Sequence, residues 1–319
     1  MKIEKIFSLT ANALKKTLAT ELLGYGYDKS KIHNKAKFLY IEGDAPYMLV
    51  AHLDTVHKQT PSIICYSQDG NYMMSPQGIG GDDRCGVYII LSLLNKLPFK
   101  PYIVFTMEEE TGGHGASAFV GHLDAKQAYP ELKYIVEFDR KGNKDCVFYH
   151  CNNTDFVKFV EGFGFKKAYG SFSDISIIAP SLGVAAVNLS SGYYNPHTEH
   201  EYVSMNDMHS IIDAAHKMLC AESKTFDYIE DDYYNYYNSK KQKISVSFVP
   251  EGTVYICSYY TNSIYVNRHK EIAIDALGNY YKYSTTYDDL MPLYADVEPI
   301  DIGCEPTYDK ANARLITSY

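Results

Sequence analysis

The side chains best suited to catalysis are histidines and carboxylates that follow apolar runs or a glycine-rich turn. Five of them form the candidate set: His52, Asp82, Glu110, Asp139 and His197. Imidazole and carboxylate donors suit divalent ions such as zinc, cobalt or manganese, and the set lacks the thiolates of a structural zinc site. Three carboxylates offset three of the four positive charges on a pair of such ions, and one bridging hydroxide offsets the fourth. The set therefore favours a two-metal hydrolytic site in which that hydroxide is the nucleophile.

Some of these assignments have competitors nearby in the sequence. Glu137 competes with Asp139, because strand alternation places both on the same side and only the position at the strand end favours Asp139. His200 competes with His197 as the last ligand. His57 is interpreted as an ordinary surface or loop histidine.

The glycine-rich turn at residues 78–86 carries two adjacent carboxylates and leads into the apolar segment 87–94. Four glycines in nine residues indicate a backbone that is sharply bent or closely approached. Taken alone, the turn is explained by an acidic helix N-terminus that Asp83 caps. The histidines and carboxylates at the strand ends favour a role in a pocket for one Asp. For Asp174, in a later loop, a structural role and a supporting role in the site both stay open.

The candidate residues are positioned by a repeated pattern of strands and helices. Four apolar runs have the length of a buried strand: residues 47–51, 101–106, 134–138 and 184–189. Helical patterns separate them, which predicts an α/β fold with a largely parallel central sheet. Sites in such sheets form at the carboxyl ends of strands. His52, Glu110 and Asp139 each lie at such an end, and His197 follows the last run.

The composition excludes several classes of partner. The net charge is −9 and no stripe of Lys and Arg is present, so we expect no nucleic-acid partner. Seven cysteines without regular spacing predict reduced thiols and a cytoplasmic protein. Residues 1–24 are interpreted as one amphipathic helix and not as a signal peptide. No stretch approaches transmembrane length, so no membrane partner is expected.

The chain changes character near its C-terminal third. It contains 31 Tyr and no Trp, and the Tyr excess lies after residue 227. We predict a catalytic domain over residues 1–225, followed at 226–319 by a Tyr-rich β appendage or by extra strands packed on that domain. A hairpin is predicted around the turn at 250–252.

The order of these motifs resembles the co-catalytic di-zinc exopeptidase superfamily, with its zinc aminopeptidases, tripeptidase T and carboxypeptidase G-like enzymes. Five motifs between residues 37 and 220 carry the resemblance: Ala51-His52-Leu53-Asp54-Thr55-Val56, Gly81-Asp82-Asp83, Glu109-Glu110 before glycines, Asp139, and Pro196-His197-Thr198 with Glu201-Tyr202-Val203. The resemblance implies a three-layer α/β sandwich with a mixed, largely parallel sheet, to which the small C-terminal β-rich segment is added.

The resemblance also implies the ligand set. Asp82 would bridge two divalent ions, most simply zinc, with cobalt or manganese as alternatives. His52 and Asp139 would complete one ion, and Glu110 with His197 the other.

Two further residues gain roles from the same resemblance. Asp54 would orient the His52 ring by accepting a hydrogen bond from its second nitrogen. Glu109 would be the general base that takes a proton from the metal-bound water and returns it to the leaving amine. A cis peptide bond is also expected between Asp82 and Asp83.

The interval between Asp139 and His197 distinguishes this chain from the two-domain relatives. A helix, a loop and a strand already use most of it, so no separate lid domain fits. We therefore expect a di-metal aminopeptidase acting on peptide or aminoacyl substrates. The alternatives are a dipeptidase or N-acyl amino-acid deacylase with the same metals, and a non-catalytic binding protein that retains the fold. The oligomeric state stays open.

Overall fold

The chain divides into two compact units, Met1–Glu230 and Asp231–Tyr319. The computed structural model describes residues 1–126 and 129–230 with their side chains, and the backbone of four strands in the second unit. Every candidate site residue lies in the first unit.

The first unit alternates helices and strands, and a single turn of 3-10 helix at Lys29–Lys31 precedes its first strand. Its described helices are α1 (Ile3–Ser8), α2 (Ala11–Gly24), α3 (Gly81–Leu94), α4 (His114–Lys126), α5 (Thr154–Glu161), α6 (Ile175–Leu182) and α7 (Met205–Cys220). Its described strands are β1 (Ile32–Asn34), β2 (Phe38–Ile41), β3 (Ala45–His52), β4 (Cys65–Tyr66), β5 (Tyr72–Met74), β6 (Pro101–Thr106), β7 (Tyr134–Arg140), β8 (Asp145–Val147), β9 (Lys166–Lys167), β10 (Ala186–Ser190), β11 (Tyr193–Tyr194) and β12 (Tyr202–Ser204).

The central sheet has eight strands in the order β1-β2-β6-β3-β7-β10-β8-β9. Strands β6, β3, β7 and β10 run parallel, whereas the pairs β1–β2, β2–β6 and β10–β8 are antiparallel. A second sheet of four short strands has the order β11-β12-β5-β4. The mixed, largely parallel sheet predicted from the sequence is confirmed, and its parallel strands end at one common edge.

The central sheet is covered on both faces, which explains why its strands are continuous apolar runs. In β3, Leu49 and Ala51 face a core built with α1, α2, α3, α5 and α7. Met48 and Val50 face the opposite core, which α4 and α6 close. The α/β fold is therefore a three-layer sandwich, as expected.

The N-terminal segment differs from the single helix predicted for residues 1–24. The chain forms α1 and α2, which are separated at Leu9 and Thr10, both in extended conformation. The Thr10 side chain accepts a hydrogen bond from the Ala13 amide and so caps α2. This cap starts a new helix at the point where the sequence pattern suggested continuation.

The end of the first unit extends past the predicted domain limit at residue 225. Phe226 is buried and its ring packs on Tyr134, Phe156 and Phe159. Its backbone also bonds to Lys133 and Ala185, which fixes the segment at the sheet.

The second unit contains an antiparallel sheet of four described strands in the order β13-β14-β15-β16. Their bounds are β13 (Thr253–Tyr259), β14 (Asn262–Asn267), β15 (Ile272–Ile274) and β16 (Tyr280–Lys282). The predicted β-rich character is confirmed. The hairpin predicted around residues 250–252 lies outside the described residues.

Two sequence-based expectations concern the whole described chain. Among its helices, none combines the length and apolarity that a membrane crossing requires. Its described cysteines are free thiols: Cys65, Cys85, Cys146, Cys151 and Cys220.

Two helical glycines allow a matched test of how tightly α3 packs on the sheet. A Cβ at Gly86 would overlap the Phe138 carbonyl oxygen and lie 2.5 Å from the Asp83 carboxylate, whereas at Gly121 no described atom lies within 4 Å. We expect Gly86→Ala to lower the free energy of unfolding by about 1–3 kcal/mol. Gly121→Ala should raise it by about 0.5–1 kcal/mol, because alanine loses less backbone entropy in a helix. Urea denaturation measures both, and equal effects would contradict the close packing at Gly86.

Candidate metal centre

The kinked first turn of α3 carries two adjacent carboxylates, Asp82 and Asp83. Gly80 has φ of 68°, the left-handed region that favours glycine, and α3 is kinked at Asp82 and Asp83. A Cβ at Gly81 would lie 2.7 Å from the Tyr193 Cβ, so only glycine fits between the turn and β11. The peptide bond between Asp82 and Asp83 is cis, as expected from the sequence.

His52 is the last residue of β3 and its side chain is only 1% exposed. Its Nε2 atom lies 3.1 Å from Asp82 Oδ1 and 3.4 Å from Asp139 Oδ1. Its Nδ1 atom lies 3.1 Å from the Asp54 carbonyl oxygen and 3.5 Å from Asp54 Oδ1. The backbone carbonyl of Asp54 is thus closer to the ring than the carboxylate that the sequence analysis assigned to this contact.

Asp82 lies between the two histidines of the candidate set. Its Oδ1 atom faces His52, and its Oδ2 atom lies 3.2 Å from His197 Nε2. His197 Nε2 is also 3.2 Å from Glu110 Oε2. The structure therefore brings all members of the candidate set together, with Asp82 at their centre.

The loop after β6 carries Glu109 and Glu110 into the site. Asp54 holds this loop, because its two carboxylate oxygens accept hydrogen bonds at 3.3 Å from the amides of Glu109 and Glu110. Glu109 Oε2 lies 4.0 Å from His52 Nε2. Asp54 thus joins the end of β3 to the residue predicted as the general base.

Asp139 and Glu137 occupy different environments, although both follow the same alternation on β7. Asp139 faces His52, and its amide donates to Asn188 Oδ1 at 2.8 Å. Glu137 is fully buried and accepts a hydrogen bond from Ser173 Oγ. Of the two competitors, Asp139 is the one at the candidate centre.

His197 and His200 are separated by the shape of their loop. His197 has a positive φ of 64°, and its side chain is 53% exposed while its Nε2 reaches Asp82. His200 is exposed, and its amide bonds to Thr198 Oγ1 at 3.2 Å. The structure places His197, and not His200, against the carboxylates.

Burial and mutual repulsion raise the pKa of Glu109 and Asp139, whereas hydrogen bonds from histidines lower the pKa of Asp82. Burial, together with the charge of Asp139, raises the pKa of Glu109 to about 9, although His52 opposes the shift. Burial and the charge of Asp82 raise the pKa of Asp139 to about 7. Burial alone would raise the pKa of Asp82 too, but hydrogen bonds from His197 and His52 hold it well below its usual range. The carboxylates therefore compete for a limited amount of positive charge.

When no cation is bound, the protonated histidines supply this positive charge. The hydrogen bond to Asp82 raises the pKa of His197 to about 9. Burial would lower the pKa of His52, but the charge of Asp139 and hydrogen bonds donated to three aspartates raise it well above its usual range. Bound cations would supply the same charge and release these protons.

A second group of polar residues is buried behind Asp139. Asp174 accepts a hydrogen bond from Thr106 Oγ1, and Ser173 Oγ lies 3.3 Å from Asp139 Oδ2. Asn188 Nδ2 donates to the Asp139 carbonyl oxygen at 3.0 Å. Burial is the main cause that raises the pKa of Asp174 to about 6. This group supports the strand end that carries Asp139.

The contacts of Glu201 and His57 with each other and with the glycine-rich turn were not predicted from the sequence. His57 is not an ordinary surface histidine, because its Nε2 atom lies 2.8 Å from Glu201 Oε2 and its ring packs on Gly78. Glu201 is fully buried and accepts hydrogen bonds from the amides of Gly80 and Asp82, each at 2.9 Å. The only sequence signal was the position of Glu201 after His197 in the last motif.

The donor set fits divalent ions on the chemistry of its own atoms. One ligand atom from each of His52, Asp82 and Glu110 lies within 4.8 Å of the others. Glu110 Oε1 is buried without a described hydrogen-bond partner, which is costly for a carboxylate unless a cation or water satisfies it. Nitrogen and carboxylate oxygen donors are those that zinc, cobalt and manganese accept.

Comparison of the sequence with protein-family models and with curated proteins yields no match. Solved structures do match. An aminopeptidase PepT from Bacillus cereus superposes with a TM-score of 0.53 and 15% identity, over 69% of this chain and 95% of that one. A tripeptidase from Staphylococcus aureus superposes with a TM-score of 0.54 and 13% identity, over 68% of this chain and 95% of that one. This chain shares the fold of these two peptidases.

The shared fold explains the placement of the candidate set. Three parallel strands, β3, β6 and β7, deliver His52, Glu110 and Asp139 to one edge of the sheet. At identities of 13% and 15%, the comparison concerns the fold, and the resemblance predicted from the motifs is confirmed at that level.

Proposed function

We propose that this protein is a di-metal-dependent exopeptidase, and most specifically an aminopeptidase. The observation that carries the proposal is the position of Asp82, whose two oxygens face His52 and His197 at 3.1 and 3.2 Å. One carboxylate between two imidazoles is an arrangement that can hold a pair of divalent ions.

Each proposed ligand has a defined position in this arrangement. His52 and Asp139 would hold one ion, Glu110 and His197 the other, and Asp82 both. When bound, the two ions, most simply zinc, would polarise the scissile carbonyl group and lower the pKa of a water molecule. The exposed side of His197 marks the open side of the site, from which a substrate can approach.

Glu109 is proposed to move the proton. Its carboxylate lies 4.0 Å from His52 Nε2, beside the proposed ligands without being one of them. In peptide hydrolysis it would accept a proton from the attacking water and donate it to the leaving amine nitrogen as the carbon–nitrogen bond breaks. Asp54 fixes the Glu109 backbone for this transfer by accepting from its amide.

Aminopeptidase activity is favoured over a carboxypeptidase type of activity by the chain between Asp139 and His197. In the structure this interval holds β8, α5, β9, α6, β10 and β11, which all belong to the first unit. A separate lid that could bind a substrate carboxylate is therefore not part of it. A dipeptidase or an N-acyl amino-acid deacylase would use the same metals and differs only in the group next to the scissile bond.

Metal analysis and chelation test the proposal together. We expect close to two divalent ions per chain, and a melting temperature that falls by about 5–10 °C on chelation and recovers with Zn²⁺. The magnitude follows from a ligand at about 100 times its Kd, which stabilises by about 2.7 kcal/mol, in a domain of this size. Protein that neither binds Zn²⁺ nor changes its melting temperature would overturn the proposal and favour a binding protein.

Substrate class is then decided with the metal-loaded protein. Aminoacyl-4-nitroanilides with a free amine should be hydrolysed, and the same compounds with an acetylated amine should not. Preferential cleavage of N-acyl amino acids would instead identify a deacylase.

A further inference from the structure

We infer that Glu201 is a positioning residue, which holds Asp82 in the orientation needed to bridge two ions. The inference depends on the proposed metal site and extends it to a residue that binds no ion itself. Glu201 is fully buried in the loop before β12. Its two carboxylate oxygens both point at the turn that presents Asp82.

The contacts of Glu201 enclose the glycine before the bridging residue. Oε1 accepts from the Asp82 amide and Oε2 from the Gly80 amide, each at 2.9 Å. A Cβ at Gly81 would lie 3.2 Å from Oε1, so the carboxylate lies directly against the backbone at this point. The turn is therefore held at both neighbours of Gly81 by one side chain.

His57 completes this arrangement from a third part of the chain. Its Nε2 donates to Glu201 Oε2 at 2.8 Å, and its ring occupies the space that a side chain at position 78 would need. Gly78 and Gly80 both have positive φ angles, of 80° and 68°. The glycines allow the close approach, and Glu201 and His57 determine which conformation the turn adopts.

Glu201 also links the two proposed ligands that contact each other across the site. It lies in the same loop as His197, and its own amide donates to the Thr198 carbonyl oxygen at 3.2 Å. His197 in turn lies 3.2 Å from Asp82 Oδ2. One carboxylate thus couples the Asp82 turn to the His197 loop, and the ion shared by Asp82, Glu110 and His197 should depend on it most.

The chemistry of a carboxylate is essential at this position. Three donors converge on Glu201, and an ionised carboxylate offers only acceptors. A glutamine of nearly the same shape would point its NH₂ group at one or two of those donors. The turn would then have to move, because a buried donor facing another donor is unsatisfied.

Glu201→Gln tests the inference, with Glu199→Gln as the matched control on the exposed part of the same loop. The affinity for each ion is measured by calorimetric titration of metal-free protein with Zn²⁺. A titration with Co²⁺, followed by absorption, provides a second measurement. We expect the affinity for one of the two ions, the one proposed to be shared by Asp82, Glu110 and His197, to fall about 10- to 100-fold in Glu201→Gln, as is typical when an outer partner of a ligand is lost. Glu199→Gln should titrate like the parent protein.

A purely structural role for Glu201 gives a different result. It would lower the melting temperature of the metal-free protein and leave both ion affinities of the folded protein unchanged, which would overturn the inference. His57→Phe keeps an aromatic ring over Gly78 and removes the donor, so it provides a second variant if Glu201→Gln fails to fold. His57→Phe should lower the affinity for the same ion several-fold, and an unchanged affinity would again contradict the inference. If the parent protein itself binds no Zn²⁺, it is the proposed function that fails.

Discussion

Glu109→Gln is expected to lower turnover strongly while the protein keeps its full complement of metal ions. Glutamine has nearly the same size but cannot accept and return a proton, and general-base catalysis typically contributes 10²- to 10⁴-fold. We therefore expect kcat for an aminoacyl-4-nitroanilide to fall by about 10³-fold, with KM little changed. Steady-state kinetics and metal analysis of the same sample provide the two measurements.

The neighbouring glutamate provides a matched control for this prediction. Glu108 has a positive φ of 62°, and its side chain is 44% exposed and bonds to Lys37 Nζ at 2.9 Å on the surface. Glu108→Gln removes the same charge from the same loop without altering the site, and its kcat should stay within about twofold of the parent value. If Glu109→Gln kept its activity, or lost it together with its metal ions, the assignment of Glu109 as general base would be wrong.

The positions of the proposed ligands could be predicted because each depends on local pattern and one topological rule. His52, Glu110 and Asp139 follow apolar runs of strand length, and parallel strands end at a common edge. It was harder to predict which residue near the end of a strand faces the site. Alternation puts Glu137 and Asp139 on one side, and only the structure shows that Glu137 bonds to Ser173 while Asp139 faces His52.

The supporting contacts could not be predicted in the same way, because they join distant parts of the chain. Nothing near His57 in the sequence distinguishes it from a surface histidine. Its partner Glu201 follows 144 positions later, and the glycine that makes room for its ring is Gly78. A single sequence records which residues are present but not which turns meet, so such contacts require the tertiary structure.

The break between α1 and α2 was not predicted for a different reason. Residues at the N-terminus show one continuous apolar pattern, since α1 and α2 pack on the same core. The local signal was Thr10, a side chain that can cap a helix, and in the structure it does so. The apolar pattern therefore predicted helical structure correctly, but it did not show where one helix ends and the next begins.

Several buried carboxylates near the candidate centre link metal binding to the stability of the fold. Glu137 and Asp174 lie behind Asp139, and all three carboxylates are almost or fully buried. Hydrogen bonds from Ser173 and Thr106 satisfy part of their carboxylate oxygens, while Glu137 Oε1 and Asp174 Oδ1 have no described partner. Positive charge at the candidate centre would stabilise all of them, so metal binding and the stability of this region should be linked.

Asp82→Asn is expected to remove both ions, which is the largest effect on metal binding that a single substitution should produce. Asp82 is the only residue of the candidate set that contacts both histidines in the described structure. Two divalent ions repel each other four times as strongly as two unit charges at the same distance, and the bridging negative charge offsets that repulsion. Asparagine keeps the shape and removes the charge. We expect affinity for each ion to fall by at least about 10³-fold, with no measurable hydrolysis at micromolar Zn²⁺.

Asp213→Asn is the control for the loss of an aspartate elsewhere, since Asp213 is exposed on α7 and pairs with Lys96 at 2.6 Å. It should bind two ions like the parent. Thermal unfolding of metal-free Asp82→Asn should remain cooperative, which separates a lost bridge from a lost fold. Retention of one tightly bound ion would assign Asp82 to a single metal, and retention of both would refute the bridging role. The bridge is the feature on which the two-metal interpretation depends, because the remaining four proposed ligands divide into two pairs that, among the described residues, Asp82 alone connects.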